Sequence, residues 1–187
     1  MSSPSSTRVE VVRTHLELHR RGQLRPAKEP HAAARFERHR PVAVSLYRDL
    51  YVMVGERWHW RDRQLWSDAE LERYLASPDI HLWTLHVGKE TAGYFELQRH
   101  DDGRVEIMYF GLAPAFIGQG LGGWMLTRAV KEAFALSASK VVLNTCTLDA
   151  ASALPNYLAR GFIIVREEQY TLEVPTVVSP SEQRMTP

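Results

Sequence analysis

The sequence predicts an α/β fold, with a central mixed, mostly antiparallel sheet flanked by helices. Three observations carry this expectation. Between Ile80 and Leu112 three β-prone runs follow one another, separated by the turn sequences Gly88-Lys89-Glu90 and Asp101-Asp102-Gly103. From Val105 a strand pattern, a glycine-rich loop and a helical pattern come in direct succession. The chain then alternates once more, as strand, helix and strand, up to about Glu173. Helices followed by β-β-β-α-β-α-β put a mixed sheet between helical layers.

Taken in order, residues 1–7 and 175–187 are rich in Ser, Pro and Thr and are expected to be disordered tails around a single domain of residues 8–174. Thr7–Leu18 alternates and reads as a first strand, whereas the basic, proline-containing stretch Arg20–Pro41 reads as a long loop. Pro41 suits the first position of a helix and Gly55 the position after its end, with Val44, Tyr47, Tyr51 and Val54 marking one face. Ser67-Asp68-Ala69-Glu70 is a capping box that opens a short helix with Leu71, Tyr74 and Leu75 inward. Strands are expected at Ile80–Val87, Thr91–Gln98 and Arg104–Leu112. A helix from Gln119 to about Leu136 follows, burying Leu126, Ala129, Val130 and Ala133. Lys140–Cys146 is another strand. The next helix starts at Ser152, because Pro155 is tolerated in a first turn and not in an interior, and Gly161 ends it. Phe162–Glu173 returns as strand.

Composition narrows the function. At 187 residues and 21.4 kDa the chain is long enough for one substantial core. A net charge of +1 gives no bulk attraction to nucleic acid or an anionic membrane surface, so neither is an expected partner. No apolar run approaches a membrane span and the N-terminus lacks a signal-peptide layout, so a cytoplasmic protein is expected. Cys146 is the only cysteine and no HExxH occurs, which leaves no disulfide, no thiolate cluster and no expected metal.

The segment from Glu106 to Trp124 is the most informative. Its strand ends near Pro114, four glycines fall between Gly118 and Gly123, and a helix begins. Unpaired amides and the dipole at a helix N-terminus favour an anion, and glycines let a phosphate approach closely. Gly118-Gln119-Gly120-Leu121-Gly122-Gly123 satisfies the dinucleotide fingerprint GxGxxG, but two features count against that reading. The segment Leu112-Ala113-Pro114-Ala115-Phe116-Ile117 intervenes before the first glycine, and the first downstream acid suited to a ribose, Asp149, lies later than the expected spacing of about 20 residues.

The same segment resembles the acetyl-coenzyme A motif of the GNAT superfamily of N-acetyltransferases. Leu112-Ala113-Pro114 takes the strand-end position and Gly118 to Gly122 the pyrophosphate loop, while Ile117 stands where the family usually has Arg or Gln. A second segment, Ala153 to Phe162, resembles the family's Ala-x-x-x-Tyr-x-x-x-Gly-Phe pattern. The resemblance implies acetyl-CoA as co-substrate and a primary amine acceptor, small molecule or peptide; the oligomeric state does not follow from these residues, and a homodimer stays open. It also implies that strands Glu106–Leu112 and Val141–Cys146 splay to admit the pantetheine arm, which would pair with Phe110, Gly111 and Leu112. Residues Ile117, Gly118, Gln119, Gly120, Leu121, Gly122 and Gly123 would surround the diphosphate.

For the chemistry, Glu106 lies six residues before Leu112, a spacing that resembles the family's glutamate general base. Glu96 on the adjacent strand is the reserve base. Either carboxylate could instead be a solvated strand residue. Tyr157, four residues before Gly161, matches the family's thiolate-protonating tyrosine, although Ala150 replaces an asparagine common there. Cys146 reads as a small buried hydrophobe. Trp58 and Trp60, with Trp66, form an aromatic loop that would either cage a cationic acceptor or cover the sheet edge. An acyl-CoA-binding module without catalysis is the alternative function.

Overall fold

The computed structural model describes residues 6–30 and 33–175. In chain order the elements are β1 (Ser6–Leu18), β2 (Ala34–His39), α1 (Val44–Gly55), α2 (Asp68–Leu75), β3 (Ile80–Val87) and β4 (Glu90–Arg99). They continue with β5 (Val105–Leu112), α3 (Leu121–Ala135), β6 (Val141–Cys146), α4 (Ala153–Ala159) and β7 (Ile163–Pro175). The seven strands form one sheet in the order β2-β3-β4-β5-β6-β1-β7. Only β5 and β6 are parallel, so the sheet is mixed and mostly antiparallel. No helix among the described residues is long and apolar enough to cross a membrane.

Two local expectations change. The stretch Arg20–Pro41, expected as loop, contains a 3-10 turn at Arg21–Gln23 and the edge strand β2. Phe36 is its main apolar anchor, its ring 4.5 Å from that of Trp124 and 6.2 Å from that of Phe95. Arg35, Glu37 and His39 on the other face hid this strand from a hydrophobic pattern. Helix α1 starts at Val44, with Ala43 as N-cap, and Gly55 is its last residue instead of the residue beyond it. A Cβ at Gly55 would stand 2.5 Å from the Trp60 ring, so close packing sets this glycine. The strands β1 and β7 extend to Ser6 and Pro175, within the stretches read as tails; residues 1–5 and 176–187 lie outside the described residues.

The capping box at Ser67 forms as its sequence implies: Ser67 Oγ accepts from Glu70 N–H, and Glu70 Oε2 accepts from Ser67 N–H. The sheet buries a different core on each face. Helix α3 places Leu121, Met125, Leu126, Ala129, Val130 and Ala133 against Phe95, Leu97, Val105, Ile107, Val141 and Leu143. Helices α1 and α2 place Tyr47, Leu50, Tyr51, Val54, Leu71 and Leu75 against Leu82, Tyr94 and Tyr109.

One irregularity positions the site. On β5, Tyr109 pairs with Glu96 but Ile107 pairs with Leu97, which leaves Met108 as an extra residue, a β-bulge. Beyond it β5 turns away from β6. The parallel pairing covers only Val105↔Val141 and Glu106↔Val142, after which the two strands separate.

Candidate active site

The separation leaves a free strand edge. Ala113 donates its N–H to the Ala92 carbonyl on the β4 side. By strand alternation the N–H groups of Leu112 and Phe110 therefore point into the gap. At the open end of the gap lies the glycine loop. Gly118 (φ +85°) and Gly120 (φ +75°) are left-handed, a region that costs other residues energy, and nothing lies within 4 Å of where their Cβ atoms would stand. Gly120 is the N-cap of α3 and no side chain caps that helix. The N–H groups of Gly118, Gln119 and Gly120 find no backbone acceptor among the described residues. A bare N-terminus of a 15-residue helix, open to close approach, fits a diphosphate. The gap beside it fits an extended arm that carries amides.

The other loop residues divide by role. Leu121 is buried in the core and offers only its backbone. Gln119 folds back, donating from Nε2 to the Ala115 carbonyl at 2.8 Å. Ile117 is exposed. Gly122 lies against Leu112 and Asn156, whereas a Cβ at Gly123 would meet the Arg160 guanidinium at 2.8 Å. Arg160 thus lies against the first turn of α3, a cation that no motif had marked.

Tyr157 projects from α4 onto β5, its ring 6.1 Å from Phe110 and 6.2 Å from Phe162. Burial, with the Asp149 carboxylate second, pushes its phenol well above the usual tyrosine range, so it stays protonated at neutral pH. Glu106 is the last β5 residue paired before the gap and shares a depression of about 250 Å³ with Glu17, Lys140, Asn144 and Arg104. His100 Nε2 lies 3.0 Å from Glu106 Oε2. Arg104 Nη2, which can only donate, lies 3.4 Å from His100 Nδ1. His100 therefore carries its proton on Nε2 and donates it to Glu106.

Glu96 is sealed under α1 and α2, with no exposed surface. Tyr74 donates to its Oε1, and its Oε2 has no partner. Burial raises its carboxyl above the usual range. Around it, Tyr51 and Tyr109 both donate to Asp62. The aromatic cage is already filled: the Arg63 guanidinium stands 3.9 Å from the Trp66 ring centre, 4.4 Å from that of Tyr74 and 5.6 Å from that of Tyr109. Trp60 packs on Tyr51, Tyr94 and Tyr109, whereas Trp58 stays outside, beside Arg57. Trp60 thus packs on Tyr94 and Tyr109, the sheet neighbours of Glu96, and Trp58 does not. His100, Arg63 and Arg160 were missed because single polar residues in loops or short elements show no periodic signal.

Two other sequence candidates are explained. Burial and Asp149 push the Cys146 thiol up, so it is a poor nucleophile. Asp149, the ribose candidate of the dinucleotide reading, instead accepts from Thr145 Oγ1 and Cys146 N–H and closes the turn after β6.

Known proteins agree with this architecture. The family model described as acetyltransferase (GNAT) family matches residues 45–162, well over half of the chain. This chain belongs to the GNAT acetyltransferase family. A curated relative, the mycothiol acetyltransferase of Corynebacterium efficiens, is 28% identical over 117 residues, covering 59% of this chain and 38% of that protein. The chain thus spans well under half of that relative's length. Among solved structures, a GCN5-related N-acetyltransferase from Sphaerobacter thermophilus superposes with a TM-score of 0.64 at 12% identity, covering 94% of this chain and 55% of the other. An aminoglycoside acetyltransferase from an uncultured soil metagenomic sample superposes at 0.57 and 12% identity, covering 68% and 86%. At such identities these two structures speak to the fold.

Proposed function

We propose that this chain is an N-acetyltransferase that moves acetyl from acetyl-CoA to a primary amine by direct attack in a ternary complex. The observation that carries this reading is the gap between β5 and β6, open from Ile107 onward and ending at a bare helix N-terminus. The backbone of residues 118–123 would hold the diphosphate, and the edge of Phe110, Gly111 and Leu112 the pantetheine arm. When bound, acetyl-CoA supplies an activated acetyl carbon as a thioester.

The remaining steps belong to the chain's own groups. A nitrogen–carbon bond forms as the carbon–sulfur bond breaks; Glu106 takes a proton from the nitrogen, and Tyr157 gives one to the sulfur. His100 orients the Glu106 carboxylate by donating to it. The raised pKa of Tyr157 keeps the acid loaded before transfer. Glu106 is preferred over Glu96 as base because its side chain is 20% exposed, whereas Glu96 is sealed and could act only after α1 or α2 moved.

The test is thiol release from acetyl-CoA across a panel of amines. Aminoglycosides belong in the panel because a protein of the same fold is named an aminoglycoside acetyltransferase. Release that depends on both acetyl-CoA and an amine supports the reading. Tight CoA binding with no transfer to any amine favours a silent binding module, and absence of CoA binding overturns the assignment.

A further inference from the structure

The edge of the sheet farthest from β7 holds a cluster that acetyl transfer does not use. Strand alternation puts Glu37 and His39 of β2 on one face, and the register Arg35↔His86, Glu37↔Thr84 brings His86 of β3 to the same face. The two histidines lie at opposite ends of this patch, yet their rings lean together. His39 Nε2 and His86 Nε2 each stand 2.8 Å from the Thr84 hydroxyl between them. Glu37 Oε2 approaches His86 Nε2 to 3.5 Å. One ligand atom from each of the three residues lies within 4.8 Å of the others.

We propose that Glu37, His39 and His86 form a site for a transition-metal dication, with zinc as the best match. Two imidazole nitrogens and one carboxylate are a donor set that zinc accepts, and a water completes four-coordination. Calcium and magnesium call for oxygen ligands and do not fit it. Zinc at about 2.0–2.1 Å from nitrogen holds tetrahedral ligands about 3.3 Å apart, so closure needs ring and carboxylate adjustments of roughly 1.5 Å. Rotation of Thr84 about χ1 vacates the point on which both rings converge. The competing contact is Arg35 Nη1 to Glu37 Oε2 at 3.0 Å, an exposed ion pair that water screens.

The metal would clip the edge strand β2 to β3. It lies between β2 and β3, two to three strands from β5 and roughly 10–14 Å across the sheet, too far to take part in transfer. This separates the proposal from the proposed function: either can fail alone.

Metal-free protein without a histidine tag, titrated calorimetrically with zinc chloride, is the test. One equivalent should bind with micromolar or tighter affinity and raise Tm. Cobalt substitution should give the visible absorption of a tetrahedral nitrogen–oxygen site. H39A and H86A should each weaken zinc binding at least tenfold, and E37Q should alter the cobalt spectrum, with circular dichroism verifying the fold. H39A changes the chain at the end of β2 and serves as the decisive variant if H86A does not fold. No zinc binding at 100-fold excess, or equal zinc affinity in folded H39A, would overturn the proposal.

Discussion

Glu106 sits where two requirements meet: it borders the gap, and it keeps contact with water through a half-open depression. If it removes the amine proton, Glu106→Gln should lower kcat by about 10²-fold or more with CoA affinity retained, and high pH should partly restore the rate. Tyr157→Phe should also lower kcat, but alkaline pH should not help, because hydroxide cannot donate to a thiolate. Steady-state kinetics between pH 6 and 9.5 distinguish the two, and full activity of Glu106→Gln at neutral pH would move the role to Glu96. A second residue ties stability to pH. His81 accepts from Arg38 on Nδ1, and burial together with Arg38, Arg40 and Arg99 lowers its pKa to about 4. In the unfolded chain it titrates near 6.5, so at intermediate pH the unfolded state binds more protons. The stabilisation is complete above pH 6.5 and is lost as pH falls toward 4, by up to about 3 kcal/mol. Urea unfolding at pH 7.5 and pH 5 should show this loss, and His81→Gln should reduce it.

At the scale of elements, the glycines report where backbones approach. A Cβ at Gly111 would stand 2.4 Å from Val54 Cγ1, so α1 presses directly on β5 opposite the gap. Gly111→Ala should cost about 1–3 kcal/mol by overpacking, and Val54→Ala in the same chain should recover part of that loss. Chemical denaturation of the four-member cycle measures it; purely additive losses would mean that α1 does not brace the strand. The sequence made β5, the glycine loop and α3 legible because strand, glycine and helix signals follow one another without a break. It did not reveal β2, whose outward face is Arg35, Glu37 and His39, nor the bulge at Met108, which depends on pairing with β4. The aromatic loop was visible as composition alone. Its filling by Arg63, which Tyr109 of β5 joins from across the fold, is a packing result that no periodic pattern encodes.

Across the whole molecule the sheet works as two parts joined by the two residue pairs at the base of the gap. Strands β2 to β5 carry α1 and α2, while β6, β1 and β7 stand beyond the gap, with α3 and α4 on the opposite face. A ligand that inserts between these parts replaces the missing strand pairing and stabilises the fold by RT ln(1 + [L]/Kd), so acetyl-CoA should raise Tm and NAD should not. Gly120→Val should remove that rise while the chain stays folded, because its backbone angle and open approach both disfavour a branched side chain. The most direct measurement is amide hydrogen exchange with and without acetyl-CoA. Bound acetyl-CoA should slow exchange at Phe110 and Leu112 along the strand edge and at Gly118 and Gly120 in the loop. Unchanged exchange at all four amides under saturating acetyl-CoA would contradict it.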